Sequence, residues 1–198
     1  MSTTKSKNGK TFKSSPENDL PAKPTTPVSE YEGNPIGLPR DVAEPIAKAL
    51  DKHLASLWAM WHMYRKHHWL VKGPQFRDLH LFLEQNYTEV AEDGDMVAER
   101  MTAIGGIPTS SMKEQVKLTY VSEEPEGYFR IRDSLKHDMH AESTIAQNLR
   151  RTIKECSDGG DYGTERLLKK VLLHAEDRAH HIEHFLGEDS LEIGRPDE

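Results

Sequence analysis

Between residues 41 and 187 the apolar side chains return every three or four residues through four long stretches, and this period confines the chain to helices. In the first stretch, from Asp41 to about Val71, one stripe holds Leu50, Leu54, Leu57, Trp61, Tyr64 and His68. The second runs from about Phe76 to Ile104, with Leu79, Leu83, Val90, Val97 and Met101 among its apolar positions. A third covers about 128–155 through Ile131, Leu135, Met139, Ala146, Leu149 and Ile153, and a fourth about 164–186 through Leu168, Leu172, Ala175, Ala179, Ile182 and Leu186. Breaks fall at Gly73-Pro74, at Gly105-Gly106-Ile107-Pro108, at Pro125-Glu126-Gly127 and in a loop over 157–161. Pro45 is expected in an opening turn, where its missing N–H costs little. Ser111-Met112-Lys113-Glu114 has the pattern of a capping box and predicts a short helix ending near Leu118. Helices in the order long, long, short, long, long specify an all-α four-helix bundle with the short helix in its central crossover.

The 35% hydrophobic content of the 198 residues supplies one core if the polar ends are set aside. Residues 1–40 read as a flexible N-terminal tail, 41–187 as the bundle and 188–198 as a C-terminal tail. Six of the eleven prolines fall before residue 41 among Ser, Thr, Asn and Gly, too few apolar groups to offset the entropy of ordering. Lys5, Lys7, Lys10 and Lys13 make the tip cationic, so this tail is either a DNA tether or a solubilising terminus. The net charge of −7 argues against nucleic acid binding over the whole surface and suits a shell that attracts cations. A single cysteine, Cys156, reads as a packed free thiol in a reducing cytoplasm. No 18-residue apolar run or secretory h-region is present, so a cytoplasmic protein without a membrane partner is expected.

Metal-ligating residue types concentrate on the second helix. At 100° per residue, His80, Glu84, Asp95 and Glu99 fall at about 0, 40, 60 and 100°, one face of the helix. They cannot share an ion, because fifteen residues of helix put His80 about 22 Å from Asp95, whereas metal–ligand bonds are about 2 Å. The face therefore carries two half-sites, and a two-fold axis near the helix midpoint would set the first half of one copy opposite the second half of another. His68, on the preceding helix, is placed to join the His80 half. Imidazole with carboxylate suits iron or zinc better than calcium. The spacing alone equally admits surface pairs with no metal.

The segment His68-Trp69-Leu70-Val71-Lys72-Gly73, then Phe76, His80, Asp95 and Ala98-Glu99-Arg100, resembles the signature of the Dps family, the DNA-binding proteins from starved cells, across residues 41–187. The resemblance implies a ferritin-like four-helix bundle assembled as a homododecameric shell. It implies oxidation of Fe(II) with hydrogen peroxide or oxygen at intersubunit di-iron centres, and storage of Fe(III) as protection against iron and peroxide stress. It also implies a cytoplasmic, nucleoid-associated setting. By matching position, Asp95 and Glu99 of one subunit bind iron with His68 of its neighbour, whose His80 and Glu84 serve a second iron position; zinc would compete. Trp69 resembles the family tryptophan beside the centre that intercepts radical equivalents, its alternative being core packing. Position 84 is usually Asp in the family, and Glu here lengthens the reach by about 1.5 Å. No Glu-x-x-His pair of the kind that builds an iron site inside one bundle occurs in this chain.

On the fourth helix His174, Asp177, His181 and His184 span about 80°, opposite the apolar seam, as an auxiliary metal surface or a solvated face. His180 is expected to be structural, between that stripe and the core. His137 and His140 beside Asp133 read as a surface pair, and His53, His62 and His67 show no partner pattern. Family shells carry acidic pores near the start of the last helix, where Asp158, Asp161 and Glu165 stand in this chain.

Overall fold

The computed structural model describes residues 23–27, 30–31 and 33–187. Among them are five helices and no strand: α1 Arg40–Leu70, α2 Phe76–Ala103, α3 Met112–Leu118, α4 Ile131–Asp158 and α5 Tyr162–Leu186. The lysine-bearing tip and residues 188–198 lie outside the described residues.

α1 and α2 form one antiparallel hairpin and α4 and α5 the other; α1 packs on α4 and α2 on α5, closing four helices around one core. The first hairpin turns where Val71 leaves helical dihedrals (φ −57°, ψ 136°) and Gly73 takes φ +111°, a conformation open to glycine at little cost. Leu50, Leu57 and Tyr64 of α1, Leu83 and Val90 of α2, Ile145 and Leu149 of α4, and Leu168 and Ile182 of α5 are fully buried there.

Two expectations shift by about a turn. α1 begins at Arg40, which puts Pro45 in its second turn. α4 continues through Ser157 and Asp158, leaving only Gly159, Gly160 and Asp161 between the helices; Lys154 holds Asp158 at 2.6 Å across the last turn. The capping box does not close: the Ser111 side chain bonds no backbone N–H, and Glu114 pairs with Lys117 instead.

Polar residues of α1 fix the crossover. Asp51 accepts from the Thr109 N–H at 2.9 Å and hydroxyl at 2.7 Å, and Ser56 Oγ accepts from the Tyr120 N–H at 3.1 Å. His53, without a partner by sequence pattern, bridges Tyr120 (2.7 Å) and Thr152 (2.9 Å), and burial pushes its pKa down to about 4. Part of the stretch read as tail is docked as well. Tyr31 donates to the Ile104 carbonyl, Asn34 donates to the Leu38 carbonyl at 2.8 Å and accepts from its N–H at 2.9 Å, and Gly105 (φ +93°) lies against Gly33. Cys156 is buried, and that burial pushes its thiol up to about 12, as a packed rather than a reactive cysteine requires.

Candidate metal centre

The tight turn after α1 brings His68 and His80 face to face. Their rings stack at 3.7 Å between centroids and 22° between planes. Each Nδ1 bonds the other residue's backbone carbonyl, His68 to His80 O at 2.9 Å and His80 to His68 O at 3.0 Å. A carbonyl only accepts, so both Nδ1 atoms carry a hydrogen, and a neutral imidazole held this way presents its lone pair at Nε2. Phe76 flanks His80 at 4.9 Å and Tyr87 meets His68 edge-on at 5.4 Å. Glu84, exposed, has only the Tyr87 hydroxyl near it, at 3.5 Å.

At the other end of the same face Asp95 and Glu99 are exposed, and neither carboxylate has a hydrogen-bond or ion-pair partner among the described residues. Asp95 opens into a recess walled by Trp58, Trp61, His62 and Met112. Among the described residues of one chain, no three His, Cys, Asp or Glu side chains gather to hold a metal ion. Asp95 and Glu99 thus remain apart from His68, His80 and Glu84 within the chain, as the helix pitch requires.

Trp69 is 65% exposed, which excludes the core-packing role. Its ring is one of three that surround the Arg65 guanidinium, with Trp61 at 4.9 Å, Tyr87 at 4.9 Å and Trp69 at 5.2 Å. This cation–π stack stiffens the surface next to His68.

The histidine stripe of α5 does not act as one unit. His174 leaves it: its Nδ1 lies 2.8 Å from Asp93 Oδ1, in the bundle interior. His181 and His184 remain exposed, and His180, expected to be structural, is exposed too, with Nε2 3.1 Å from that of His184. Among the acids matched to a pore, Asp161 is buried, caps α5 through the Thr164 N–H at 3.0 Å and pairs with Arg100 at 2.7 Å. Its carboxylate is consumed by the fold. Asp158 pairs with Lys154, and Glu165 with Lys169.

Two buried charge clusters went unread in the sequence. Arg178, 2% exposed, bonds Glu142 through Nε (2.6 Å) and Nη2 (3.3 Å), and through Nη1 reaches Glu89 (2.7 Å) and Asp93 (3.1 Å); Tyr64 donates to Glu142 at 2.9 Å. His67 is held between Asp138 (2.8 Å) and Glu124 (3.2 Å). Burial, the largest single effect, works against its charged form, but the bonds and charges of Asp138 and Glu124 together outweigh it and raise the pKa. The signal was present: Asp93, Asp138, Glu142 and Arg178 all sit three or four residues from core positions, on the apolar stripes of their helices.

A bundle of two hairpins with a helical crossover, bearing a stacked histidine pair and unpartnered carboxylates outside its core, defines a class. A profile described as a ferritin-like domain matches residues 47–191, and the chain belongs to that ferritin-like family, in its Dps branch. The chain is 37% identical over 161 residues to the nutrient stress-induced DNA-binding protein of Nostoc sp., covering 81% of this chain and 88% of that one. It is 38% identical over 165 residues to the DNA protection during starvation protein of Halobacterium salinarum, covering 83% and 91%. Among solved structures it is similar to the archaeal Dps homologue of Halobacterium salinarum, with TM-score 0.82, 37% identity and coverage of 85% and 94%. DpsC from Streptomyces coelicolor superposes with TM-score 0.83 at 27% identity, covering 85% and 99%. No helix among the described residues is long and apolar enough to cross a membrane.

Proposed function

We propose that copies of this chain assemble into a hollow homododecamer and oxidise Fe(II) at sites shared between two-fold-related subunits, storing the Fe(III) product inside. The observation that carries this reading is the reciprocal His68–His80 lock. It fixes two imidazole tautomers with Nε2 free, while Asp95 and Glu99 on the same face of α2, without partners among the described residues, lie about 22 Å or more away along the axis. Neither half gathers three metal-ligating side chains by itself among the described residues. A neighbour related by a two-fold axis supplies the rest, and the recess over Asp95 gives the neighbour's His68 end a place to seat.

The substrate ions are held by His68, Asp95 and Glu99 at one position and by His80 and Glu84 at the second. Two Fe(II) give up one electron each to one hydrogen peroxide; with two protons this yields two Fe(III) and two water molecules, and no hydroxyl radical is released. Carboxylate oxygens favour the ferric product. Zinc, which accepts the same ligands, competes for the positions without turning over.

The shared site is tested by mixing subunits. H68A/H80A and D95A/E99A variants are each expected to be inactive in peroxide-dependent Fe(II) oxidation followed optically. Unfolded, mixed and reassembled, they should recover about a quarter of the parent rate, since half the dimers are mixed and each mixed dimer has one intact site of two. Absence of recovery in correctly sized mixed assemblies, which should elute near about 270 kDa, defeats the reading.

A second activity, DNA binding in the nucleoid, is favoured by the names of the relatives and by Lys5, Lys7, Lys10 and Lys13, which lie outside the described residues. Truncation should stop before residue 23, because the Tyr31–Leu38 stretch belongs to the folded body. Full-length protein that retards no DNA at low salt removes this reading.

A further inference from the structure

The last turns of α5 carry a group of metal donors that the iron site does not use. His180 and His184 place their Nε2 atoms 3.1 Å apart, with ring centroids at 4.4 Å and planes at 71°. Both residues are exposed, so core packing does not force the rings together. Two nitrogens at that separation, each about 2.05 Å from a shared ion, subtend about 98° at it, between octahedral and tetrahedral angles. Histidines at i and i+4 on one helix face are also the spacing with which helical motifs grip zinc. Glu183 Oε2 stands 3.9 Å from His180 Nδ1. At that distance the carboxylate makes no hydrogen bond to the ring, but it adds negative charge beside the pair. His181 does not share in the pair, since its ring meets Phe82 of α2 at 6.4 Å.

We propose that His180 and His184 form an exchangeable site for a borderline divalent transition ion, of the Zn²⁺ and Fe²⁺ class, with the remaining coordination positions left to water. Imidazole nitrogen selects such ions over Mg²⁺ and Ca²⁺. With two protein ligands the site captures and releases an ion; a closed structural site uses four. It lies apart from the α2 face and holds or fails independently of the intersubunit reading.

The test counts Zn²⁺ ions per chain by competition with a chromophoric chelator on the full-length, metal-stripped assembly. The H180Q/H184Q variant should bind one ion per chain fewer than the parent, with unchanged size-exclusion and circular dichroism profiles because both positions are exposed. H184Q alone should lose the same ion, which keeps the test valid if the double variant assembles poorly, whereas H181Q should keep the parent count. Excess Mg²⁺ should not displace the ion. An unchanged count in H180Q/H184Q and H184Q would reduce the 3.1 Å contact to a hydrogen bond between two imidazoles; an equal loss in H181Q, or displacement by Mg²⁺, would also overturn the assignment.

Discussion

Replacing Arg178 by Met should destabilise the bundle strongly, because this 2% exposed side chain bonds three acids. The methionine stem keeps much of the buried volume, so the loss is electrostatic. Glu142 and Asp93, both 0% exposed, are left without the cation that bonds them at 2.6 and 3.1 Å, and Tyr64 still donates to one of them. Breaking a buried ion pair by removing one partner costs about 3–5 kcal/mol. For a chain of this length each kcal/mol lowers Tm by about 2–4 °C, so a fall of about 6–20 °C is expected in calorimetry at fixed protein concentration. Arg150, whose pair with Glu176 is half-exposed, is the control, and R150M should cost less than about 1 kcal/mol.

The pH dependence of that loss identifies its cause. Burial already holds the Asp93 carboxyl above its ordinary range, against the lowering effect of Arg178 and His174. Without Arg178 its folded pKa rises further. A raised folded pKa contributes stability that is present below the unfolded pKa and is lost as pH rises through the folded one. The R178M deficit should therefore be largest near pH 8 and shrink towards pH 5. Neutralising the two fully buried acids too, in R178M/E142Q/D93N, should restore most of the stability, because the one charge then left without its partner is Glu89, which is one-third exposed to water. An R178M protein that melts within about 2 °C of the parent, or whose deficit ignores pH, would refute the reasoning.

Other outcomes follow from the same contacts. Asp138 is pushed up to about 6, chiefly by burial, against an ordinary 3.8, so the stability it contributes is full below 3.8 and is lost as pH rises through about 6. Subtracting the D138N denaturation profile from the parent's should leave a difference that grows in the parent's favour from pH 6 to 4, by up to about 1.4 kcal/mol per unit; a flat difference contradicts this. D161A removes the α5 cap and strands Arg100, and should cost about 2 kcal/mol in urea unfolding, with a loss under about 0.5 kcal/mol counting against it. In G105A the added Cβ, at φ +93°, would stand 2.7 Å from the Gly33 carbonyl oxygen. Amide exchange in residues 33–38 should then accelerate while the bundle core keeps its protection, and unchanged exchange would show that the docked stretch does not depend on Gly105.

The architecture was legible because each long helix repeats its apolar period over many turns, so local errors average out. Helix ends had no such redundancy. α4 runs past Glu155 because glycines at 159 and 160 stop it, not the Ser157-Asp158 pair. The partition of the α2 face into halves followed from helix rise alone, which is why it needed no tertiary knowledge. The surroundings of His174 and His180 were not legible, for the opposite reason. A helical wheel gives an angle but not a neighbour, and Asp93 on α2, at 2.8 Å, draws His174 inward while His180 faces solvent. Asp161 reads the same as a pore acid or as a cap until Arg100, sixty-one residues earlier, is seen beside it.

The position of the proposed half-sites has a structural counterpart inside the bundle. Ferritin-like di-iron proteins build their metal site between the helices, from inward-facing carboxylates and histidines. Here the inward-facing set exists: Glu89 and Asp93 of α2, Glu142 of α4 and His174 of α5 converge from three of the four long helices. Its centre is filled by the Arg178 guanidinium, a permanent cation delivered by α5 itself, which satisfies those acids with directed hydrogen bonds and no exchangeable ion. A metal would have to displace a buried, bidentate guanidinium, and the same electrostatics that make R178M costly oppose it. Outside the core, His68 at the end of α1 and His80 on α2 turn Nε2 away from the carbonyls that hold their Nδ1 atoms, and the pitch of α2 keeps Asp95 of the same chain about 22 Å from His80. On the proposed reading, a core occupied by arginine leaves iron chemistry to the contact between subunits, so a variant that elutes as a monomer in size-exclusion should show no peroxide-dependent Fe(II) oxidation, and a monomer that keeps the parent rate would refute it.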